Sequence, residues 1–242
     1  MKVFYIILVI IMFSIKWLGH AAFVIELANR IVLIDPWITN PLSPYKSVDS
    51  FIKEYHRIDY MIVTHDHGDH VGESVELLRR YRDVKICGIF ELAEHLASEA
   101  KAIDRSVPGN IGGPIKLDEL VTIVFTPANH SSSKGVASGV VIISENFSIY
   151  HAGDTGLFSE MALISELYKP TVALLPIGGH FTMGVKEAVK AVELLKPRYV
   201  IPMHYNTFDV IKAEPTEFSK MVEDRRLDTT VIILKPGEKY SF

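Results

Sequence analysis

THDHGDHVG, Thr64 to Gly72, holds three histidines and two aspartates within six consecutive positions. Histidine is costly to bury and aspartate is rarely left unpaired, so a solvated loop has no use for this density. A metal site does. In an extended segment residues two apart face the same way, so His65 and His67 can converge on one point. Gly68 lets the chain turn sharply, and Asp69 and His70 then fall in the first turn of a following helix, within reach of a second point. The stretch therefore offers two metal half-sites, neither complete, and four-coordination of zinc requires ligands from elsewhere.

Working outward, the stretch is fed by an apolar strand, YMIVT, and followed by a helical pattern in GESVELLRRYRD. Upstream, Ile15–Leu18, Ala22–Leu27 and Arg30–Asp35 read as β-runs, and a short helix is expected at Val48–His56. Downstream, VKICGI reads as a strand and ELAEHLASEA as a helix. Strands near Leu120–Phe125, Gly139–Ser144 and Ser148–His151 open the second half. A helix at Leu157–Tyr168, strand Val172–Pro176, the amphipathic helix VKEAVKAVELL stopped before Pro197, and strand YVIPM follow. A helix at Thr216–Arg226 and a strand at Thr230–Leu234 close the chain. Two β-runs, each finishing in strand–helix units, predict an α/β fold of two sheets packed face to face with helices outside.

That frame places further ligand types at the carboxyl ends of predicted strands, where α/β sites gather. His130 follows VTIVFTPAN, Asp154 follows IYHAG and His204 follows VIPM. With the cluster they provide for two divalent ions of three or four ligands each. Mixed histidine–carboxylate ligation suits zinc, with manganese and iron as alternatives.

The bulk numbers narrow the function classes. The chain has 242 residues, 48% of them hydrophobic, enough for one full core. A net charge of −4 gives no basic footprint, so no nucleic-acid partner is expected; the partner expected of the metal site is a small-molecule substrate. The single cysteine, Cys87, rules out an internal disulfide and fits a reducing, cytoplasmic compartment. Its setting in VKICGI reads as a small buried strand residue.

Residues 1–13 depart from the rest as an apolar extension ahead of one domain at 14–242 that carries the metal-ligand pattern. The eleven apolar residues Val3 to Phe13 fall short of a bilayer-crossing helix. They read in three ways: a membrane tether, an extra apolar strand, or sequence upstream of a true start at Met12. A membrane partner follows only from the first. Nothing in the sequence bears on oligomeric state.

WLGHAAFVIE, IDPW, THDHGDH, HAGDTG, LLPIGGHFTM and IPMHYNTF together resemble the small metal-dependent hydrolases of the metallo-β-lactamase superfamily. The likeness runs from Ile15 onward and is closest to the branch near the ascorbate-phosphate lactonases and the phospholipase-D-like hydrolases of N-acyl phosphatidylethanolamine. It implies a four-layer αβ/βα sandwich with the site at one sheet edge. It also implies that His65, His67 and His130 hold a first metal, that Asp69, His70 and His204 hold a second, and that Asp154 bridges them. One subclass of true β-lactamases carries cysteine at the Asp154 position, and the di-iron redox branch carries an acidic residue at the His67 position. The RNA-processing branches add domains or an arm that this chain does not show. What remains is hydrolysis.

The expected chemistry is that of a binuclear centre whose bridging hydroxide attacks a small ester, lactone or phosphodiester, with Asp69 orienting the nucleophile. The alternative is a non-catalytic metal sensor or interaction module. His180, after LLPI and two glycines, is a candidate proton donor or substrate contact, or else a loop residue at a helix start. Asp35 either fixes a ligand histidine or forms an ordinary Asp-Pro turn. Asp66 either does likewise or faces solvent, and His20 either contacts the site or only occupies a turn. Ser131 to Ser133 either donate to an anionic substrate group or form a plain loop. His56, His95 and His151 carry no pattern.

Overall fold

The computed structural model describes residues 13–145 and 147–242. The apolar segment before Phe13 therefore lies outside the described residues. Phe13 itself is fully buried, its ring stacked on Phe242 at 4.3 Å and tilted against Phe147 at 4.1 Å.

Two seven-stranded sheets are built on one plan. In the first, β1 (Ser14–Gly19), β2 (Ala22–Leu27) and β3 (Arg30–Ile34) form an antiparallel meander. Ala28 and Asn29 both have positive φ, as a two-residue hairpin turn of the favoured twist requires. After α1 (Val48–Glu54), strands β4 (Tyr60–Ile62), β5 (Lys85–Ile89) and β6 (Ser106–Gly109) add in parallel. Helices α2 (Gly68–Val71), α3 (Ser74–Arg80) and α4 (Phe90–Ala100) make the crossovers.

The second sheet repeats the scheme. Strands β7 (Pro114–Lys116), β8 (Thr122–Pro127), β9 (Ser138–Ser144) and β10 (Phe147–His151) form the meander. Strands β11 (Val172–Pro176), β12 (Tyr199–Met203) and β13 (Thr230–Val231) follow in parallel. Their crossovers are α5 (Met161–Tyr168), α6 (Val185–Leu195) and α7 (Pro215–Asp224). The last strand, β14 (Lys239–Ser241), returns to pair with β1 of the first sheet.

Alternation along the strands produces the layers. Phe23 and Ile25 of β2, Val32 and Ile34 of β3, and Tyr60 and Ile62 of β4 face the core between the sheets. Their neighbours Val24, Leu33 and Met61 face a separate core under α1, α3 and α4, which supply Phe51, Leu77, Leu78, Leu92 and Leu96. On the other side, α6 buries Ala188, Val189, Ala191, Val192 and Leu195 at helical spacing. Each fully buried aliphatic or aromatic side chain contributes roughly 1.5–3 kcal/mol. Four layers, helix–sheet–sheet–helix, result, as the resemblance implies.

Three expected elements differ. The helix after the histidine cluster is broken in two at Gly72, whose φ is +45°. A Cβ there would collide with the Pro36 carbonyl and the Trp37 backbone, so the chain turns to pass this loop. The strand expected to reach Leu234 ends at Val231, because the chain then crosses between sheets, Gly237 donating to the Trp17 carbonyl at 2.7 Å. The helix expected from Leu157 begins at Met161, since Gly156 is drawn off to the Asn129 carbonyl. Among the described residues no helix is long and apolar enough to cross a membrane.

Candidate metal centre

The shared plan of the sheets brings the carboxyl ends of β1, β3, β4, β8, β10, β11 and β12 to one edge of the sandwich. His20 follows β1, Asp35 follows β3, and His65, His67, Asp69 and His70 follow β4. From the second sheet come His130 after β8, Asp154 after β10, His180 after β11 and His204 after β12. The metal ligands expected from sequence, residues up to 139 positions apart (His65 to His204), thus meet by topology.

His65, His67 and His130 form one group. His67 Nδ1 lies 2.9 Å from His65 Nε2 and 3.3 Å from His130 Nε2. Thr64 fixes which His65 nitrogen points there. The hydroxyl spends its single proton on Asp35 Oδ2 at 2.9 Å, so the His65 Nδ1–H donates to Thr64 Oγ1 at 3.1 Å. His65 Nε2 is left as a lone pair aimed at the other two rings.

His70, His204 and Asp69 form the second group, and Asp154 lies between the two. Asp154 Oδ1 is 3.2 Å from His70 Nε2, while its Oδ2 is 3.0 Å from His204 Nε2 and 3.6 Å from His130 Nε2. One carboxylate therefore faces both groups. Despite these short separations, His70 Nε2, Asp154 Oδ1 and both ring nitrogens of His204 are buried without an aligned hydrogen bond. Buried polar atoms are nearly always paired, so close but misaligned acceptors need a third party. Ligands at about 2.0–2.1 Å from a tetrahedral zinc ion stand about 3.3 Å apart, close to the separations seen here. The donor set fits divalent metal ions.

The surrounding residues orient these ligands. Asp35, fully buried, accepts from His70 Nδ1 at 2.7 Å and from the Thr64 amide at 2.8 Å. These bonds hold the His70 ring with its Nε2 turned toward the other ligand candidates. Burial pushes the His70 pKa down, but Asp154 and Asp35 on either side outweigh it and hold it well above the ordinary histidine value. A proton on His70 and a metal ion thus compete for the same negative field.

His20 makes contact with the site, one of the two readings open for it. Its Nε2 lies 3.1 Å from Asp69 Oδ2 and its Nδ1 2.9 Å from Thr207 Oγ1. Burial lowers its pKa to about 4 even against the Asp69 hydrogen bond, so the ring is neutral. The acceptor-only carboxylate takes the Nε2–H, and the Thr207 hydroxyl donates to Nδ1. His20 stands with Asp69, His70 and His204 in one group of possible ligands, and through its Nε2 it holds Asp69 in place. Burial raises the Asp69 pKa, but the His20 hydrogen bond and nearby histidines reverse this and keep it ionised.

Asp66 does not simply face solvent. It accepts from Ser132 Oγ at 3.0 Å, from the Ser133 amide at 2.9 Å and from the Ser133 hydroxyl, tying the loop of His130 to the loop of His67. Burial pushes its pKa up, but the Ser133 and Ser132 donors outweigh that and bring it down to about 2. Ser132 and Ser133 are thereby committed to the protein. His151, which no sequence pattern marked, supports the Asp154 turn: Gly153 N–H donates to its Nδ1 at 3.1 Å, and its Nε2–H donates to the Ala21 carbonyl at 2.9 Å. Its place three residues before Asp154, on the same strand end, was the available signal.

His180 stands apart. It is exposed on the β11–α6 loop with φ +58°, its ring against Phe181 at 4.4 Å, and it belongs to neither ligand group. The preceding Gly178 is held close, since a Cβ there would collide with the His204 carbonyl. His56 is exposed and His95 pairs with Glu99 along α4 at 3.2 Å, away from the centre. Cys87 is buried in β5, as expected, and burial pushes its thiol up to about 12.

Comparison with known proteins agrees with this geometry. Residues 30–205 match the model of the beta-lactamase superfamily domain. A UPF0173 metal-dependent hydrolase of Hyperthermus butylicus is 53% identical over 231 residues, covering 94% of this chain and 99% of that protein. Its counterpart in Staphylothermus marinus is 54% identical over 233 residues, covering 94% and 98%. Igni18, a metallo hydrolase of the archaeon Ignicoccus hospitalis, superposes with a TM-score of 0.89 at 43% identity, covering 96% of this chain and 98% of that one.

Proposed function

The chain belongs to the UPF0173 metal-dependent hydrolases of the beta-lactamase superfamily, and from that membership we propose a binuclear hydrolase that cleaves a small ester, lactone or phosphodiester. The observation that carries the binuclear reading is Asp154, whose two oxygens face both ligand groups while Oδ1 and the neighbouring His70 Nε2 lack any hydrogen bond. His65, His67 and His130 would hold one ion, Asp69, His70 and His204 the other, and Asp154 both. Zinc suits these ligands best, with manganese or iron as substitutes. When bound, such ions lower the pKa of water to about 7 and polarise a carbonyl or phosphoryl oxygen.

The chain's own residues do the rest. His20 ties Asp69 through Oδ2, which leaves Oδ1 to accept a hydrogen bond from the attacking water and orient it. Asp35 keeps the His70 proton on Nδ1, turned away from the substrate. His180, exposed and free of protein hydrogen bonds among the described residues, is placed on a loop from which it can donate a proton to the leaving group. A small-molecule substrate and a cytoplasmic setting accord with the acidic net charge and the single thiol.

Metal analysis together with a screen of lactones, carboxyl esters, phosphodiesters and thioesters tests the proposal. Two metal equivalents per chain, with activity lost to a chelator and restored by zinc or manganese, is the expected result. One tightly held ion and no turnover across the panel would favour a metal-binding module instead.

A further inference from the structure

The loop after His204 is held rigidly yet displays apolar side chains to solvent. The Asn206 carboxamide oxygen accepts from the Ala213 amide at 3.0 Å, its Nδ2 donates to the Ala213 carbonyl at 3.1 Å, and Ile211 N–H donates to the Phe208 carbonyl at 3.2 Å. Thr207 is anchored through its hydroxyl to His20. Between these fixed points Phe208 is 39% exposed and Val210 55% exposed.

Phe208 also has a partner. Its ring stacks on Trp37 at 5.8 Å and 24°, and both rings meet His20 edge-on, at 5.6 Å and 5.3 Å. His20 in turn lies 4.0 Å from the ring of His204 and bonds Asp69. The aromatic pair is therefore one residue removed from the ligand cluster, and Trp37 and Asp69 are both partly exposed. Phe181 and Val136, each about half exposed, lie on two other loops of the same edge.

A rigid loop that exposes apolar surface beside a polar reaction centre is what a preorganised ligand site requires, with polar groups for chemistry and apolar groups for the remainder of the molecule. We propose that Trp37 and Phe208 form a platform for an aromatic or similarly flat apolar part of the substrate, so that the substrate is an apolar ester or lactone in preference to a highly charged one. This inference rests on the hydrolase reading above for its substrate class, but not for the binding surface itself.

The test compares Phe208→Ala and Phe208→Tyr with the unaltered protein on two lactones, aromatic dihydrocoumarin and non-aromatic δ-valerolactone. Fluorescence of Trp37 during titration with hydrocinnamate, a non-hydrolysable aromatic acid, measures binding without turnover, and Trp37→Phe serves as the control for the signal of Trp17. Loss of one ring face to water amounts to about tenfold in affinity. Phe208→Ala should thus lower kcat/KM on dihydrocoumarin at least fivefold further than on δ-valerolactone, chiefly through KM, and weaken hydrocinnamate binding about tenfold. Phe208→Tyr should restore both. Equal losses on the two lactones with a lowered melting temperature would make the ring a cover for His20 and overturn the platform. So would a Trp37 signal that hydrocinnamate leaves unchanged. If the unaltered protein cleaves neither these lactones nor phenyl acetate yet binds hydrocinnamate at Trp37, the ester-or-lactone substrate class is overturned and the aromatic surface stands.

Discussion

The two edges of the sandwich treat charge in opposite ways. At the amino ends of β3, β4 and β8, Asp118 accepts from Arg30 Nε at 2.6 Å, Tyr60 OH at 2.8 Å, and the Leu120 and Val121 amides at 2.7 and 2.9 Å. Every lone pair is occupied by the protein, and the two sheets are pinned together. At the carboxyl ends, Asp154 lies 3.2 Å from His70 and 3.0 Å from His204, yet the three leave four buried atoms without hydrogen bonds. The first cluster is complete as a structure. The second is complete only with something added, and this separates a latch from a site more reliably than charge density does.

The comparison breaks first at Asp154. Its replacement by alanine should remove both ions, from two equivalents per chain to near none by elemental analysis, with at least about a thousandfold loss of turnover. Retention of both ions at normal occupancy would leave the carboxylate out of the bridge. His67→Ala should deplete chiefly the first ion and His204→Ala the second. Asp35→Asn, which alters the acceptor shared by His70 and the Thr64 hydroxyl, should weaken chiefly the second ion, by about 10–100-fold in a competition titration.

His180→Ala sharpens the functional edge without touching the ligands. Two ions and a near-normal melting temperature are expected, while turnover falls by roughly tenfold or more on substrates with poor leaving groups. Activated nitrophenyl esters should suffer less; equal losses on both would mean positioning in place of proton donation.

At the opposite edge the effect is on folding alone. Asp118→Ala should cost about 1–3 kcal/mol in denaturant unfolding while metal content and turnover stay unchanged. The sign with pH follows from its shift. Burial raises the Asp118 pKa, but the backbone and Arg30 donors outweigh it and bring it from 3.8 down to about 2. The carboxylate's contribution is thus fully present above about pH 4 and is lost as pH falls toward 2, a dependence that Asp118→Asn should flatten. The smallest effect is expected from a chain beginning at Met12, which keeps Phe13 and every ligand. It should match the full chain in melting temperature and activity, and a large loss would mean that the first eleven residues contribute to the fold.

Much of the carboxyl edge was legible in the amino-acid sequence because its signals are local. His-x-His in an extended run, a glycine hinge, and single histidines or aspartates just past apolar strands are patterns a few residues long, set by strand and turn geometry. They pointed to the two-sheet architecture and to the histidines and aspartates that meet at this edge, while Asp35 stayed open between an orienting role and an ordinary turn. Tertiary structure alone decided what depends on partners far apart in the chain. His20 meets Thr207 across 187 positions and Ser133 meets Asp66 across 67, and neither end of such a pair carries a mark of the other. The partner of His151 was hidden for the same reason, since its acceptor is the Ala21 carbonyl, and a backbone carbonyl has no sequence identity. Gly72 splits the helix only because the Pro36–Trp37 loop passes against it. Local propensity specifies which elements form. Packing specifies which polar atoms are satisfied, and at this protein's carboxyl edge the unsatisfied ones mark the site.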